Sequence, residues 1–124
     1  IVIAAGGGGI PVAYRADKTL EPIEAVIDKD SATSLLARTI GAEEFYILTD
    51  VPNVYINFRK PDEQKLENVT TAQLAEYTAK GMFGEGNMAP KIQAAVDFVT
   101  HGGKVSVITD AEALGSNGGT RISK

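Results

Sequence analysis

Apolar residues come in short runs separated by glycine, proline and charged turns, and the runs differ in period. Ile1 to Ala5 is continuously apolar and stops at Gly6–Gly7–Gly8–Gly9, which predicts a short buried strand entering a turn. Pro11 to Tyr14 predicts one arm of a hairpin, with Arg15 to Thr19 as its polar tip and Glu24 to Ile27 as the return strand. Ala32, Leu35, Leu36 and Ile40 then recur at helical spacing behind a cap at Asp30 or Ser31, with Gly41 as the stop. Phe45 to Leu48 predicts a strand apolar on both sides of its pleat, the pattern of a central parallel strand covered on both faces.

Beyond it, Val54 to Phe58 predicts another short strand, and the turn at Pro61–Asp62 leads to an extended run from Lys65 to Val69. Thr70 or Thr71 caps a helix carrying Leu74, Ala75 and Tyr77 that closes at Gly81. Gly84–Glu85–Gly86–Asn87 leads into a second long helix. Pro90 stands in its first turn, Ile92, Ala95, Val96 and Val99 form one stripe, and Gly102–Gly103 ends it. Val105 to Ile108 is a clear strand, Ala111 to Leu114 a helical turn and Thr120 to Ile122 an edge strand. Strands alternating with helices predict an α/β fold with crossover connections. No repeat, linker or low-complexity tract divides residues 1–124, so a single unit is expected.

Composition narrows the chemistry. The 124 residues are 44% apolar, as in an ordinary globular domain that can bury a core. No apolar run approaches the roughly 20 residues needed to cross a bilayer, so a soluble chain without membrane contact is expected. Twelve basic against 16 acidic side chains give no broad positive field for nucleic acid. With no cysteine there is no disulfide framework or thiolate metal site, which suits the cytoplasm. Ile1 is not Met and already stands in a strand pattern, so the chain is expected to be a fragment that starts inside a domain.

Candidate chemistry lies where loops leave the strands. The four glycines let the backbone approach an anion and turn successive N–H groups toward it, or they form only a flexible entry to the hairpin. Pro11 occupies the third position of a dinucleotide fingerprint, and no Walker A sequence is present. Asp28–Lys29–Asp30 stands at a strand-to-helix turn: either one carboxylate caps the helix while the other charges face water, or one carboxylate holds a lysine in position. In Gly86–Asn87–Met88–Ala89–Pro90–Lys91, Asn87 suits a cap and Lys91 adds charge to an anion-favouring helix start; the alternative is a capped surface helix with a solvated lysine. Asp50 fits an Asx turn or a nucleotide contact. His101 fits a helix C-terminus with no chemical role, and Tyr46, Tyr55, Phe58 and Phe98 fit the core or a wall of a base pocket.

In order and spacing, Ala5–Gly6–Gly7–Gly8–Gly9–Ile10–Pro11–Val12, Glu24–Ala25–Val26–Ile27–Asp28–Lys29–Asp30, Ile47–Leu48–Thr49–Asp50–Val51, Gly86 to Lys91 and Gly118–Gly119–Thr120–Arg121–Ile122 together resemble the carbamate kinases of the amino acid kinase family. Asn87 departs from the serine usual there. The resemblance implies a three-layer α/β/α sandwich around a mainly parallel sheet, with this chain as the C-terminal, nucleotide-binding portion of the kinase domain. It implies reversible phosphoryl transfer between ATP and carbamate, giving ADP and carbamoyl phosphate, with Mg²⁺ and with no side-chain nucleophile. Gly7, Gly8 and Gly9 would border carbamate and the transferred phosphoryl group, Asp30 would orient lysines, and Lys91 would meet the phosphate charge. Asp28, Lys29, Thr49, Asp50, Tyr55 and Met88 would lie about the nucleotide, and no side chain is expected to ligate a metal. The isolated chain is not expected to be a competent enzyme, and the full-length parent is expected to be a homodimer. Two alternatives remain: a related kinase with another acceptor, such as acetylglutamate, aspartate or a nucleoside monophosphate, and a non-catalytic nucleotide-binding module.

Overall fold

The computed structural model describes residues 1–83 and 86–124. A hairpin, β1 (Val12–Tyr14) and β2 (Leu20–Pro22), precedes α1 (Lys29–Thr39) and β3 (Glu44–Leu48). A second hairpin, β4 (Val54–Ile56) with β5 (Gln64–Leu66), leads to β6 (Asn68–Thr70), α2 (Thr71–Ala79), α3 (Met88–Thr100), β7 (Val105–Thr109) and β8 (Thr120–Ser123). The main sheet has four strands in the order β3-β7-β8-β6. β3 with β7 and β6 with β8 run parallel, while β7 and β8 run antiparallel. The expected α/β fold with a mainly parallel sheet is therefore present.

Register decides which side chains meet the helices. Phe45 aligns with Ser106 and Ile122, and Ile47 with Ile108 and Thr120. Phe45, Ile47, Ile108 and Ile122 join Leu74 of α2 and Ala95, Phe98 and Val99 of α3 in one buried cluster. The helices thus cover one face of the sheet, and one of the two expected helical layers lies within the described residues. Phe98 is fully buried, its ring 5.4 Å from Phe45. A Cβ at Gly103 would lie 2.1 Å from that ring, so only glycine lets the chain turn back over it.

Several elements differ from the pattern-based expectation, each for a local reason. Ile1 to Ala5 forms no strand and is exposed, because none of the described segments pairs with it and its backbone groups stay with water. The first hairpin returns at Leu20, before Glu24. Its tip closes at once through Arg15 N–H to Thr19 O at 2.8 Å, with Lys18 in the left-handed region at φ 67°. β3 lies at a sheet edge and not at the centre, and its Tyr46 and Leu48 remain exposed because they point to the face that the helices do not cover. The run from Lys65 to Val69 is split at Glu67, with β5 serving the small hairpin and β6 the main sheet. β8 is interior, its polar Thr120 satisfied by donating to Leu66 O and accepting Val54 N–H at 2.8 Å. Residues 111–114 form turns, begun where Asp110 Oδ1 accepts Ala113 N–H, and no helix. In α1 the apolar positions Leu35, Leu36 and Ile40 face outward, while Asp30, Ser34 and Ala37 are buried.

Candidate functional site

α1 and α3 offer their N-termini to the same end of the molecule. Asp30, in the first turn of α1, contacts Lys91 near the start of α3, and further along Ser34 and Arg38 contact Asp97. Contacts made in the same order along both helices require that they run parallel. Lys91 Nζ donates to Asp30 Oδ2 at 2.9 Å, and Lys29 Nζ donates to Asp30 Oδ1 at 2.8 Å. Asp30 is 7% exposed and Lys91 5%, so each is the other's condition for being charged in the interior. Lys29 keeps partial access to water, and its ammonium is held above the ordinary value chiefly by the hydrogen bond to Asp30. One carboxylate stands between two ammonium groups at helix ends whose dipoles are positive, and the neighbouring Asp28 carboxylate balances the remaining positive charge.

The segment entering α1 holds this cluster. Asp28, and not Asp30 or Ser31, is the N-cap: its Oδ1 accepts Ser31 N–H at 2.7 Å. That hydrogen bond, more than the nearby charges of Lys29 and Lys91, holds the Asp28 carboxyl below its ordinary value. Asp30 is thereby released from capping to pair with the lysines. Gly8 passes directly beside this entry, where an added Cβ would lie 2.6 Å from Ile27 O. Gly7 and Gly9 have open space around them. Gly8 thus lies against Ile27, the residue before the Asp28–Lys29–Asp30 turn, and that turn meets Lys91 through Asp30.

The start of α3 departs from expectation in two ways. Asn87 has helical backbone angles, φ −78° and ψ −3°, and its side chain makes no capping hydrogen bond. Lys91 is packed against Asp30 and is not a solvated lysine at the helix tip. Gly84 and Glu85, expected to lead into this helix, lie outside the described residues.

The remaining candidates stand apart from the cluster. Thr49 continues the β3–β7 ladder, its N–H donating to Thr109 O at 2.8 Å, and its Oγ1 donates to Asp50 Oδ1 at 3.0 Å. Both residues follow the carboxyl end of β3. Tyr55 is half-buried with its ring 5.5 Å from Phe58, while Tyr46 and Phe58 are exposed and not core. Met88 packs against the core three residues before Lys91. Among the described residues no hydrogen bond or ion pair joins Thr49, Asp50, Tyr55 or Met88 to Asp30 or Lys91. A concavity of about 370 Å³ lies between α2 and α3, lined by Thr78, Phe83, Ala89, Pro90, Ile92 and Gln93, and does not include the charged cluster. No group of three or more His, Asp or Glu side chains suited to a metal ion occurs among the described residues.

One polar group was not singled out from the sequence. Asp97 receives Ser34 and Arg38 of α1, which with Asp30 recur every four residues. That polar period was the available signal, masked by the apolar period of Leu35, Leu36 and Ile40 on the same helix.

Similarity to known proteins coincides with this arrangement. The model of the amino acid kinase family matches residues 1–110. A carbamate kinase of Thermoplasma acidophilum is 47% identical over 97% of this chain, and carbamate kinase 2 of Staphylococcus aureus is 50% identical over 98%. This chain spans about 40% of the length of each of these relatives. The structure of a carbamate kinase from Giardia lamblia bound to AMP-PNP superposes with a TM-score of 0.85 at 44% identity, over 94% of this chain and 42% of that one. A family match across most of the sequence, together with a shared fold at this identity, makes the chain a member of the amino acid kinase family.

Proposed function

We propose that this chain is the C-terminal, nucleotide-binding portion of a carbamate kinase, and that the whole enzyme moves a phosphoryl group reversibly between ATP and carbamate, forming ADP and carbamoyl phosphate. The observation that carries this reading is the buried Lys91–Asp30 pair, joined by the partly exposed Lys29, at two parallel helix N-termini with Gly8 beside the entry. Phosphoryl transfer spreads negative charge over the equatorial oxygens and calls for fixed positive groups, not for a nucleophile. Asp30 fixes the two ammonium groups before substrate arrives, so little reorganisation remains for the transfer itself. Lys91, held from below by Asp30, would face the transferred phosphoryl group, and Lys29 would meet the nucleotide phosphates. Amides of Gly7, Gly8 and Gly9 would border the carbamate end. Asp28, Thr49, Asp50, Tyr55 and Met88 would surround the nucleotide.

Mg²⁺ belongs to the expected chemistry, but these residues do not fit a protein-built site for it. Both oxygens of Asp30 accept from lysines, one oxygen of Asp28 caps α1, and Asp50 accepts from Thr49. The ion would therefore enter on the phosphate oxygens of the nucleotide, as is common for Mg²⁺. No helix among the described residues is long and apolar enough to cross a membrane. A cytoplasmic homodimer belongs to the same reading.

The test is transfer by the full-length polypeptide. It is expected to form ATP from ADP and carbamoyl phosphate and to show no comparable transfer with acetylglutamate, aspartate or nucleoside monophosphates. Transfer confined to one of those acceptors would identify a different kinase of the family. Calorimetric ADP binding without transfer to any acceptor would identify a non-catalytic module.

A further inference from the structure

We propose that Asp97 is a positioning residue for the Lys91–Asp30 pair, acting as a second clamp between α1 and α3; this rests on the proposed kinase function. Asp97 Oδ2 accepts from Ser34 Oγ and from Arg38 Nη1, each at 3.3 Å. His101 Nδ1 lies 2.8 Å from the backbone O of Asp97, its hydrogen-bond partner when that nitrogen carries the proton, and 3.1 Å from Oδ1. Ser34 is fully buried, and among the described residues Arg38 Nε is buried without a partner. Asp97 therefore supplies the side-chain acceptor on which two interfacial donors of α1 depend.

The buried apolar residues near the clamps are small. Ala37 of α1, beside Arg38, and Ala94 and Ala95 of α3, between Lys91 and Asp97, belong to the core, and methyl groups resist sliding or rotation of one helix past the other only weakly. A slip of one residue moves a helix about 1.5 Å along its axis. Register must then be held by directional contacts at both ends, with Asp30 and Lys91 at one and Asp97 with Ser34 and Arg38 at the other. Lys91 and Asp97 are six residues apart on α3, about 9 Å along the axis, so displacement of one end is carried rigidly to the other. Without Asp97, Ser34 and Arg38 must seek other acceptors or water, and the helices relax toward them. A shift of about 1 Å at a reacting centre can cost about a hundredfold in rate. Lys91 would suffer such a shift while remaining chemically intact.

The test compares Asp97→Ala and Asp97→Asn with wild type in the full-length polypeptide, following ATP formation from ADP and carbamoyl phosphate. For Asp97→Ala, kcat is expected to fall by about tenfold or more, with KM for ADP changed by less than about threefold. Asp97→Asn keeps an acceptor oxygen and is expected to restore kcat to within about threefold of wild type. Arg38→Met is expected to lower kcat in the same sense, and its effect is expected to be less than additive with that of Asp97→Ala, since both open one clamp. A purely structural role would lower the melting temperature and leave kcat unchanged where circular dichroism shows the variant folded. A kcat for folded Asp97→Ala within about twofold of wild type overturns the proposal. Should that variant not fold, Arg38→Met decides by the same threshold. An active wild type with an indifferent Asp97 removes only the positioning role; a wild type with no transfer in either direction removes the kinase reading and this inference with it.

Discussion

Asp30 and Lys91 show how one contact changes what a residue can do. A lysine at a helix start is ordinarily solvated and replaceable, but here it is buried and its charge depends on a carboxylate 61 positions away. The cost of removing it is correspondingly shared, because Asp30 still keeps Lys29. Alanine at position 91 is thus expected to cost stability as well as rate, contrary to what a solvated lysine would imply. Gly8 bears a different constraint, since a side chain there would strike Ile27 O at 2.6 Å and displace the glycine run from the entry of α1. In the full-length polypeptide Gly8→Ala is expected to lower turnover by about tenfold or more, because misplaced donors lose transition-state contacts. Its melting temperature is expected to stay close to that of wild type, since the run is exposed. Unchanged steady-state kinetics for Gly8→Ala would remove the glycine run from the site.

Among the elements, α1 carries most of the site and depends on its cap. Asp28→Ala removes the side-chain acceptor for Ser31 N–H and is expected to cost about 1 kcal/mol in a denaturant melt. The pH dependence follows from the lowered Asp28 value. The cap's contribution is fully present above the ordinary aspartate value of about 3.9 and is lost as pH falls through the lower folded value. The wild-type advantage over Asp28→Ala is therefore expected to vanish in strong acid; a difference that persists there would mean that the carboxylate is not the cap. Legibility in the sequence also divides by element. Long helices and apolar strands were readable because period and punctuation agreed, as in α3 with its stripe at Ile92, Ala95 and Val99. The inward face of α1 was not, because a polar and small face was buried where apolar spacing suggested otherwise. β8 was unreadable as an interior strand because its neighbours, β7 and β6, are fixed by tertiary pairing and not by its own pattern.

At the scale of the molecule, the sheet and helices bring three distant sequence segments to one end. The Asp28–Lys29–Asp30 turn, the glycine run and Lys91 were legible as candidates, chiefly through family resemblance, whereas the depth of Lys91 and the second clamp at Asp97 exist only once the helices are packed. The layer of helices on one face also leaves Tyr46 and Leu48 of β3 exposed on the other. On the proposed function, a lysine held by a buried carboxylate stabilises the transferred phosphoryl group. The most direct test of that role is the turnover of Lys91→Met in the full-length polypeptide, measured with carbamoyl phosphate and ADP at a temperature where circular dichroism shows it folded, beside calorimetric ADP binding. The expected result is a loss of about a hundredfold or more in kcat with ADP affinity changed only a few-fold. Turnover within about threefold of wild type would exclude that role for Lys91.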